Sequence, residues 1–505
     1  MHSCSTKFLW SAFFSFLLAA TPARAFCADE TPADTNDKIA HFLDVAEQLR
    51  RRLNVPGIGI GIVTRNEVVY TGGVGYRNIA KQEPVTEDTL FAIGSNTKAF
   101  TGLLVTQLVT EEKLSWDRPI ASYVPGFRLS DEYVTEHVTL ADACSHMTGL
   151  ARQDALWKGK DLTRQQVYDQ VQDLPFEHSL RKEFLYNNHM YVVVGKAIES
   201  VTELSWEDNV RNRIFQPLGM NDSYVTYKEF MVHSQKSIGY GPDGITPLPH
   251  VNVDGVAPAG SISSTPKDFA KWLLLWVDEQ SEFRPTVLPE EGYQRYTMPR
   301  SASMRTPGEF MSYWAGWGEK FGDDQLELRH SGGIDGQNSI IHVSPKEGFG
   351  VFVLMNQNSD CKDLLVDYAK NIFLRNDFTR DVERERQLAS IQDFIDFQRA
   401  LLDDGIPEAK EHHRSVALND LEPQMNALGY ALLAQQDFEK ALFVFQTNCE
   451  DHPGSSNAHD SLGECHFTMK QYKQAAKHYQ ESFDLDPSNT NASKMLAQIE
   501  LLMKE

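Results

Sequence analysis

The chain has 505 residues, of which 41% are hydrophobic, and a formal net charge of −22. That length predicts two or three domains with enough apolar residues for a sizeable core. Such acidity excludes a phosphate-reading surface, so no nucleic acid is expected as a partner, and it disfavours adhesion to an anionic membrane.

Residues 1–25 have the pattern of an export signal. Lys7 supplies positive charge, Phe8 to Ala20 form an apolar run, and Ala23-Arg24-Ala25 offers small residues for cleavage. The run is too short to cross a bilayer comfortably. The expectation is an exported chain, periplasmic or secreted, with no stable membrane span after cleavage. The six cysteines, Cys4, Cys27, Cys144, Cys361, Cys449 and Cys465, include no Cys-x-x-Cys pair and read mostly as small buried hydrophobes.

Residues 37–53 carry apolar groups at helical spacing, from Ile39 through Leu49, until Pro56 and Gly57 break the pattern. Ile58, Ile60 and Ile62 alternate with glycines, and Val68 to Thr71 follow a polar Arg65-Asn66-Glu67, which predicts a β-hairpin. Next comes Gly94-Ser95-Asn96-Thr97-Lys98, which opens an apolar helix through Phe100, Leu103, Leu104 and Leu108. One turn separates Ser95 from Lys98, so the hydroxyl and the amine share a face. A lysine kept from water lowers its own pKa and can take the serine's proton. Alone, a Ser-x-x-Lys string is a weak signal, and Ser95 would serve equally as a helix cap.

A short helix capped by Thr139 and ending near Gly149 is predicted, followed by a mostly helical insertion over residues 151–230. Residues 256–276 read as a turn-rich start to an amphipathic helix. Four strands are then expected, at Trp314–Trp317, Leu326–Leu328, Ser339–Val343 and Phe349–Met355, with a helix from Leu364 to Phe373. This order predicts an α/β (α+β) domain over 37–375, an antiparallel sheet flanked by helices with an inserted helical lobe. Residues 376–420 read as a charged helical linker. Beyond it Leu428, Gly429, Ala441, Phe445 and Pro453 recur as Leu462, Gly463, Ala475, Tyr479 and Pro487, each 34 residues on. That period resembles tetratricopeptide repeats, so 421–505 is expected to be an all-α repeat module closed by a cap helix from Ala492 to Met503.

Two further stretches carry chemistry. Tyr186-Asn187-Asn188 precedes an apolar helix, and a phenol beside a lysine can shuttle protons. His330-Ser331-Gly332-Gly333 is expected between two strands, where glycines let a substrate lie against a strand edge, an N–H can hold an oxyanion, and His330 can carry partial charge. Ser145-His146-Met147-Thr148-Gly149-Leu150 is read as a rigid loop with no chemistry.

Together, Ser95-x-x-Lys98, Tyr186-x-Asn188 and His330-Ser331-Gly332 resemble the three motifs of the serine β-lactamase and penicillin-recognising D,D-peptidase superfamily, nearest its class C and esterase branch. The resemblance implies that Ser95 becomes acylated while Lys98 and Tyr186 share base and acid work. Asn188 would bind the substrate amide or Lys98, and Ser95 and Gly333 would donate backbone N–H groups to an oxyanion. His330 would stand where lactamases place lysine, which weakens the fixed positive charge that meets a substrate carboxylate. The expected function is hydrolysis of an amide, a β-lactam or D-amino-acid peptide. The alternatives are a carboxylesterase using the same site and a repeat-mediated binding protein with an inert hydrolase domain. No cofactor and no metal is implied, and the repeats offer a place for a protein partner.

Overall fold

The computed structural model describes residues 32–65, 67–277, 283–296, 302–306, 309–322, 325–416 and 421–504. The signal-like segment, with Cys4 and Cys27, lies outside the described residues.

The chain opens with α1 (Pro32–Arg52), which buries Phe42, Val45, Ala46 and Leu49 along one stripe. It turns into β1 (Gly57–Thr64), β2 (Glu67–Asn78) and the short β3 (Glu83–Pro84). The serine helix is α2 (Thr97–Thr110), and the insertion contains α3 (Asn188–Thr202). After α4 (Pro266–Val277) come β4 (Ala302–Thr306), β5 (Glu309–Trp314), β6 (Trp317–Gly322), β7 (Gln325–Ile334), β8 (Gln337–Ser344) and β9 (Phe349–Met355). Then α5 (Cys361–Arg375) returns across the sheet.

These nine strands form one antiparallel sheet in the order β3-β2-β1-β9-β8-β7-β6-β5-β4. Alternation along β9 shows how it divides the core. Val351, Val353 and Met355 pack with α1 and α5 on one face, whereas Phe352 and Leu354 pack with α2, α4 and the inserted helices on the other. The glycines of β1 exist for this closeness: a Cβ at Gly61 would lie 2.2 Å from the Phe352 ring.

Three local expectations change. Trp314–Trp317 is a hairpin tip rather than a strand: Trp314 ends β5, Trp317 begins β6, and Ala315 (φ 47°) and Gly316 (φ 93°) make the left-handed pair that a two-residue hairpin requires. That tip sits directly on α2, because Gly316 abuts the backbone of Lys98 and Ala99. His330–Gly333 lies inside β7, not between strands. The helix after Thr139 stops at Cys144, because His146 takes a left-handed φ of 59°.

Beyond the sheet, α6 (Val382–Arg399) and α7 (Ile406–Ser415) precede five helices: α8 (Glu422–Ala434), α9 (Phe438–Asp451), α10 (Ser456–Thr468), α11 (Tyr472–Leu485) and α12 (Thr490–Leu502). Equivalent helices keep the sequence period, and Gly429 meets the Phe445 ring as Gly463 meets that of Tyr479. The segment read as a linker is a packed strut. Ala389 of α6 joins the core under α1 and α5, while Phe397 joins the core of the repeats. Asp393 accepts a two-pronged bond from Arg52 at 2.8 and 2.9 Å, and Asp396 accepts from Asn54 at 2.9 Å. No described helix is long and apolar enough to cross a membrane.

Candidate active site

Ser95 sits in a 3-10 turn, Gly94–Asn96, that leads into α2. The turn is pinned from the sheet. Ser339 on β8 donates its hydroxyl to Ile93 O at 2.7 Å and accepts from the Asn96 amide at 2.8 Å. Gly332 is pressed so closely on Ile93 that a Cβ would fall 1.9 Å from its carbonyl oxygen. Gly94 (φ 52°) in turn lies against the Gly333 nitrogen, which brings β7 alongside the nucleophile turn. Nothing stands within 4 Å of where a Gly333 Cβ would be, so this stretch of β7 faces open space.

The Lys98 amine lies 3.2 Å from Ser95 Oγ and donates to the Ala259 carbonyl at 2.7 Å. Lys98 is fully buried, and burial drives its pKa well below the usual lysine value; Asp154 works against that shift and Arg152 adds to it. Burial thus favours the neutral amine, the form that can accept a proton. The Tyr186 hydroxyl is hydrogen-bonded to the Ser95 side chain, and the Lys98 amine sits 4.7 Å from the Tyr186 ring centre. Burial keeps the Tyr186 phenol protonated despite that bond. Tyr186, distant in sequence, therefore meets Ser95 and Lys98 at one point.

His330 is placed differently from the expectation. Its Nδ1–H donates to Ser331 O at 2.6 Å, so Nε2 accepts from the Tyr313 hydroxyl at 2.9 Å. Burial, and then the nearby Lys98, push its pKa down to about 3, so it contributes no positive charge. Its ring centre lies 6.4 Å from that of Tyr186. Asn188 also finds another partner: its side-chain N–H bonds to Asp154 at 2.9 Å, not to Lys98. Asp154 further accepts from Arg152 at 2.7 Å and Trp157 at 3.2 Å. Burial opposes the charge on Asp154, but the bonds from Asn188 and Arg152 win and hold its carboxyl below the usual range. The loop at Ser145–Leu150 does contribute: His146 accepts from the Asn187 N–H at 3.1 Å, and its ring packs 4.3 Å from that of Tyr186.

Above Ser95 opens a cleft of about 270 Å³. Arg152, Asp154, Trp157 and Lys158 form one wall, and Gly333 and Asp335 face them. Lys158 and Asp335 pair across the mouth at 2.9 Å. The sequence reading named Gly333 but missed Arg152, Asp154, Trp157, Lys158 and Asp335, because no local pattern links a loop near 154 to a turn near 335. The trio of half-buried Ser95 and Tyr186 with the buried Lys98, under an open cleft, can form and resolve an acyl-serine.

The β-lactamase family model matches residues 42–372, most of the chain, and a tetratricopeptide repeat model matches residues 456–489. The chain belongs to the β-lactamase family. It is thereby a serine hydrolase, carrying C-terminal tetratricopeptide repeats. Protein flp of Staphylococcus aureus strain N315 is 28% identical over 349 residues, covering 66% of this chain and 66% of that one. The chain thus spans about two thirds of the length of that relative. An unguisins hydrolase of Aspergillus campestris is 30% identical over 340 residues, covering 62% of this chain and 61% of that one. Among solved structures, the octameric penicillin-binding protein homologue from Pyrococcus abyssi aligns with a TM-score of 0.61 and 26% identity, over 70% of this chain and 82% of that one. The β-lactamase domain and the helical repeats are the two parts expected from the motifs and the 34-residue period.

Proposed function

We propose that this β-lactamase-family enzyme hydrolyses an amide, a β-lactam or a D-amino-acid peptide bond, through an acyl-enzyme on Ser95. One observation carries the reading: Ser95 Oγ lies between an amine whose pKa burial drives well down and a phenol whose pKa burial drives up. Ser95 Oγ attacks the carbonyl carbon and its proton passes to Lys98 Nζ, while Ala259 O steadies the amine. The oxygen of the tetrahedral intermediate takes N–H groups from Ser95 and Gly333. As the C–N bond breaks, the leaving nitrogen takes the Tyr186 proton, which is replaced from Lys98 through the shared hydrogen bonds. Water then repeats the attack on the acyl-serine and restores Ser95. The Aspergillus campestris relative is an unguisins hydrolase, which is compatible with this assignment.

A second reading, carboxylester hydrolysis at the same serine, draws on the charge of the cleft. His330 is neutral, and the cleft cations Arg152 and Lys158 are each paired with a carboxylate. A substrate carboxylate would therefore find little uncompensated positive charge there. Turnover of nitrocefin, D-Ala-D-Ala peptides and short-chain p-nitrophenyl esters separates the readings, with intact-protein mass spectrometry to detect the acyl adduct. Adducts that appear in wild type and vanish in Ser95→Ala support the mechanism. Turnover of esters alone overturns the amide assignment.

We further propose that the chain is exported and that its repeats receive a protein partner. Lys7, the apolar run to Ala20 and Ala23–Ala25 motivate the first reading. A secreted form beginning near Phe26 on N-terminal sequencing would support it, and retention of Lys7 in the exported protein would sink it. The second follows from the repeat architecture; pull-downs that recover the same proteins with and without residues 421–505 would sink it.

A further inference from the structure

The second repeat brings together three side chains that the hydrolase chemistry does not use. His459 lies on α10, one turn into the helix. His478 and Glu481 lie three residues apart on α11 and so share a face. The helical hairpin presents them to one another: His459 Nδ1 is 3.4 Å from His478 Nδ1, and Glu481 Oε2 is 3.1 Å from the first and 3.2 Å from the second. The three atoms form a nearly equilateral triangle. For a tetrahedral ion with bonds of about 2.0–2.1 Å, the ligand-to-ligand edge is roughly 3.3 Å. Among the described residues, this is the trio of histidine, cysteine or carboxylate groups that converges within 4.8 Å.

The surrounding bonds prepare the same three atoms. The other ring nitrogen of His459, Nε2, donates to Pro453 O at 3.3 Å, which fixes the tautomer and leaves the Nδ1 lone pair directed at the trio. A histidine ligand whose remote N–H is held by a carbonyl is the usual arrangement around bound zinc. The other Glu481 oxygen, Oε1, turns toward the exposed Lys477 at 3.9 Å, so Oε2 is the one directed inward. His466 stacks on the His478 ring at 5.6 Å, but its Nδ1 is committed to Gln471 at 2.7 Å. Two imidazoles and a carboxylate favour a borderline transition ion over calcium or magnesium. All three ligands remain partly accessible to solvent.

We propose that His459, His478 and Glu481 form a zinc-type divalent metal site that clamps α10 to α11, with water in the fourth position. In the metal-free chain, one proton sits on Nδ1 of His478 and bonds to Glu481. Binding Zn²⁺ requires that proton to move from Nδ1 to Nε2 of His478, so the imidazole stays neutral and its Nδ1 lone pair meets the ion at the centre of the triangle, with no change in oxidation state.

The test uses the full chain without an affinity tag. Zn²⁺ is titrated against a chromogenic chelator, and Co²⁺ is titrated as a spectroscopic probe. One tight equivalent is expected, with the intense visible absorption of tetrahedral cobalt. Loss of a supporting contact alone costs 10–100-fold in affinity, so His478→Gln and Glu481→Gln should each weaken binding by more than about 100-fold. Circular dichroism checks that both variants stay helical; Glu481 is the more exposed of the pair, so Glu481→Gln serves if His478→Gln fails to fold. Absence of a tight equivalent, equal binding by wild type and Glu481→Gln, or only the weak spectrum of octahedral cobalt would each overturn the proposal.

Discussion

Tyr313 donates its phenol to Nε2 of His330 at 2.9 Å, so the imidazole at the third motif is tied from behind and held neutral. The bond runs from β5 to β7 across the intervening strand and stiffens the strand that carries Gly332 and Gly333. Tyr313→Phe removes the proton that Tyr313 offers to the buried His330 Nε2. An unmatched buried polar atom costs about 1–3 kcal/mol. Urea unfolding should show a loss of that size in Tyr313→Phe. A loss below a few tenths would mean that the bond contributes nothing to holding β7.

The base assignment predicts that two unlike substitutions at Lys98 have the same effect. Lys98→Met keeps the stem and removes the lone pair; Lys98→Arg keeps a donor that cannot lose its proton. Both should slow acylation by about 10²–10⁴-fold, the usual worth of a positioned proton acceptor. For wild type, the working form is the neutral amine, so acylation should rise with pH through the depressed Lys98 pKa and then level off. Stopped-flow or quenched mass spectrometry across pH reads this directly. An acylation rate that falls as pH rises through the neutral range would assign the proton transfer to another group.

Acid sensitivity follows from His330. Its folded pKa, about 3, lies below the ordinary value of 6.5, so the unfolded chain binds a proton that the folded chain does not. The contribution is present in full above pH 6.5 and is lost as pH falls from there toward 3. At pH 4.5 the loss from this one residue is about 2–3 kcal/mol. His146, buried and held well below its usual value by burial and by Lys98, acts in the same direction. Denaturant melts at pH 7 and pH 4.5 should show the drop, and His330→Gln should reduce it. An unchanged pH slope in His330→Gln would mean that the imidazole is charged in the folded state.

Much of this architecture can be read from the chain, and the failures have physical reasons. The Ser95–Lys98 relation is local, one helical turn, and so appears in the sequence. The isoleucine and glycine alternation of β1 marks a strand buried on both faces. Trp314–Trp317 misled because its aromatics look like strand residues, whereas the turn is decided by Ala315 and Gly316 seating on α2. The acceptor for Lys98 is a backbone carbonyl at Ala259, which has no residue signature. Asp154 could not be paired with Asn188 in advance, since their meeting depends on how the inserted lobe folds back. His459 and His478 lie on different helices of one repeat, so no compact motif announced them.

The strut α6 sets the last expectation, on where the chain divides mechanically. Phe397 is fully buried among repeat-side residues such as Leu401, Met425 and Val444, while Ala389, two turns earlier, packs under α1 and α5. Phe397→Ala opens a cavity of the kind that costs about 3–5 kcal/mol. That loss falls on the repeat core, and α6 as far as Asp393 stays fastened through the Arg52–Asp393 fork. Calorimetry should then resolve a low transition from the helical module and leave the hydrolase transition near its original temperature. Limited proteolysis should cut beyond residue 397 while Ser95 keeps its reactivity toward a fluorophosphonate probe. A single transition lowered as a whole, with Ser95 labelling lost in step, would instead make α6 a shared core element and the two parts one cooperative unit.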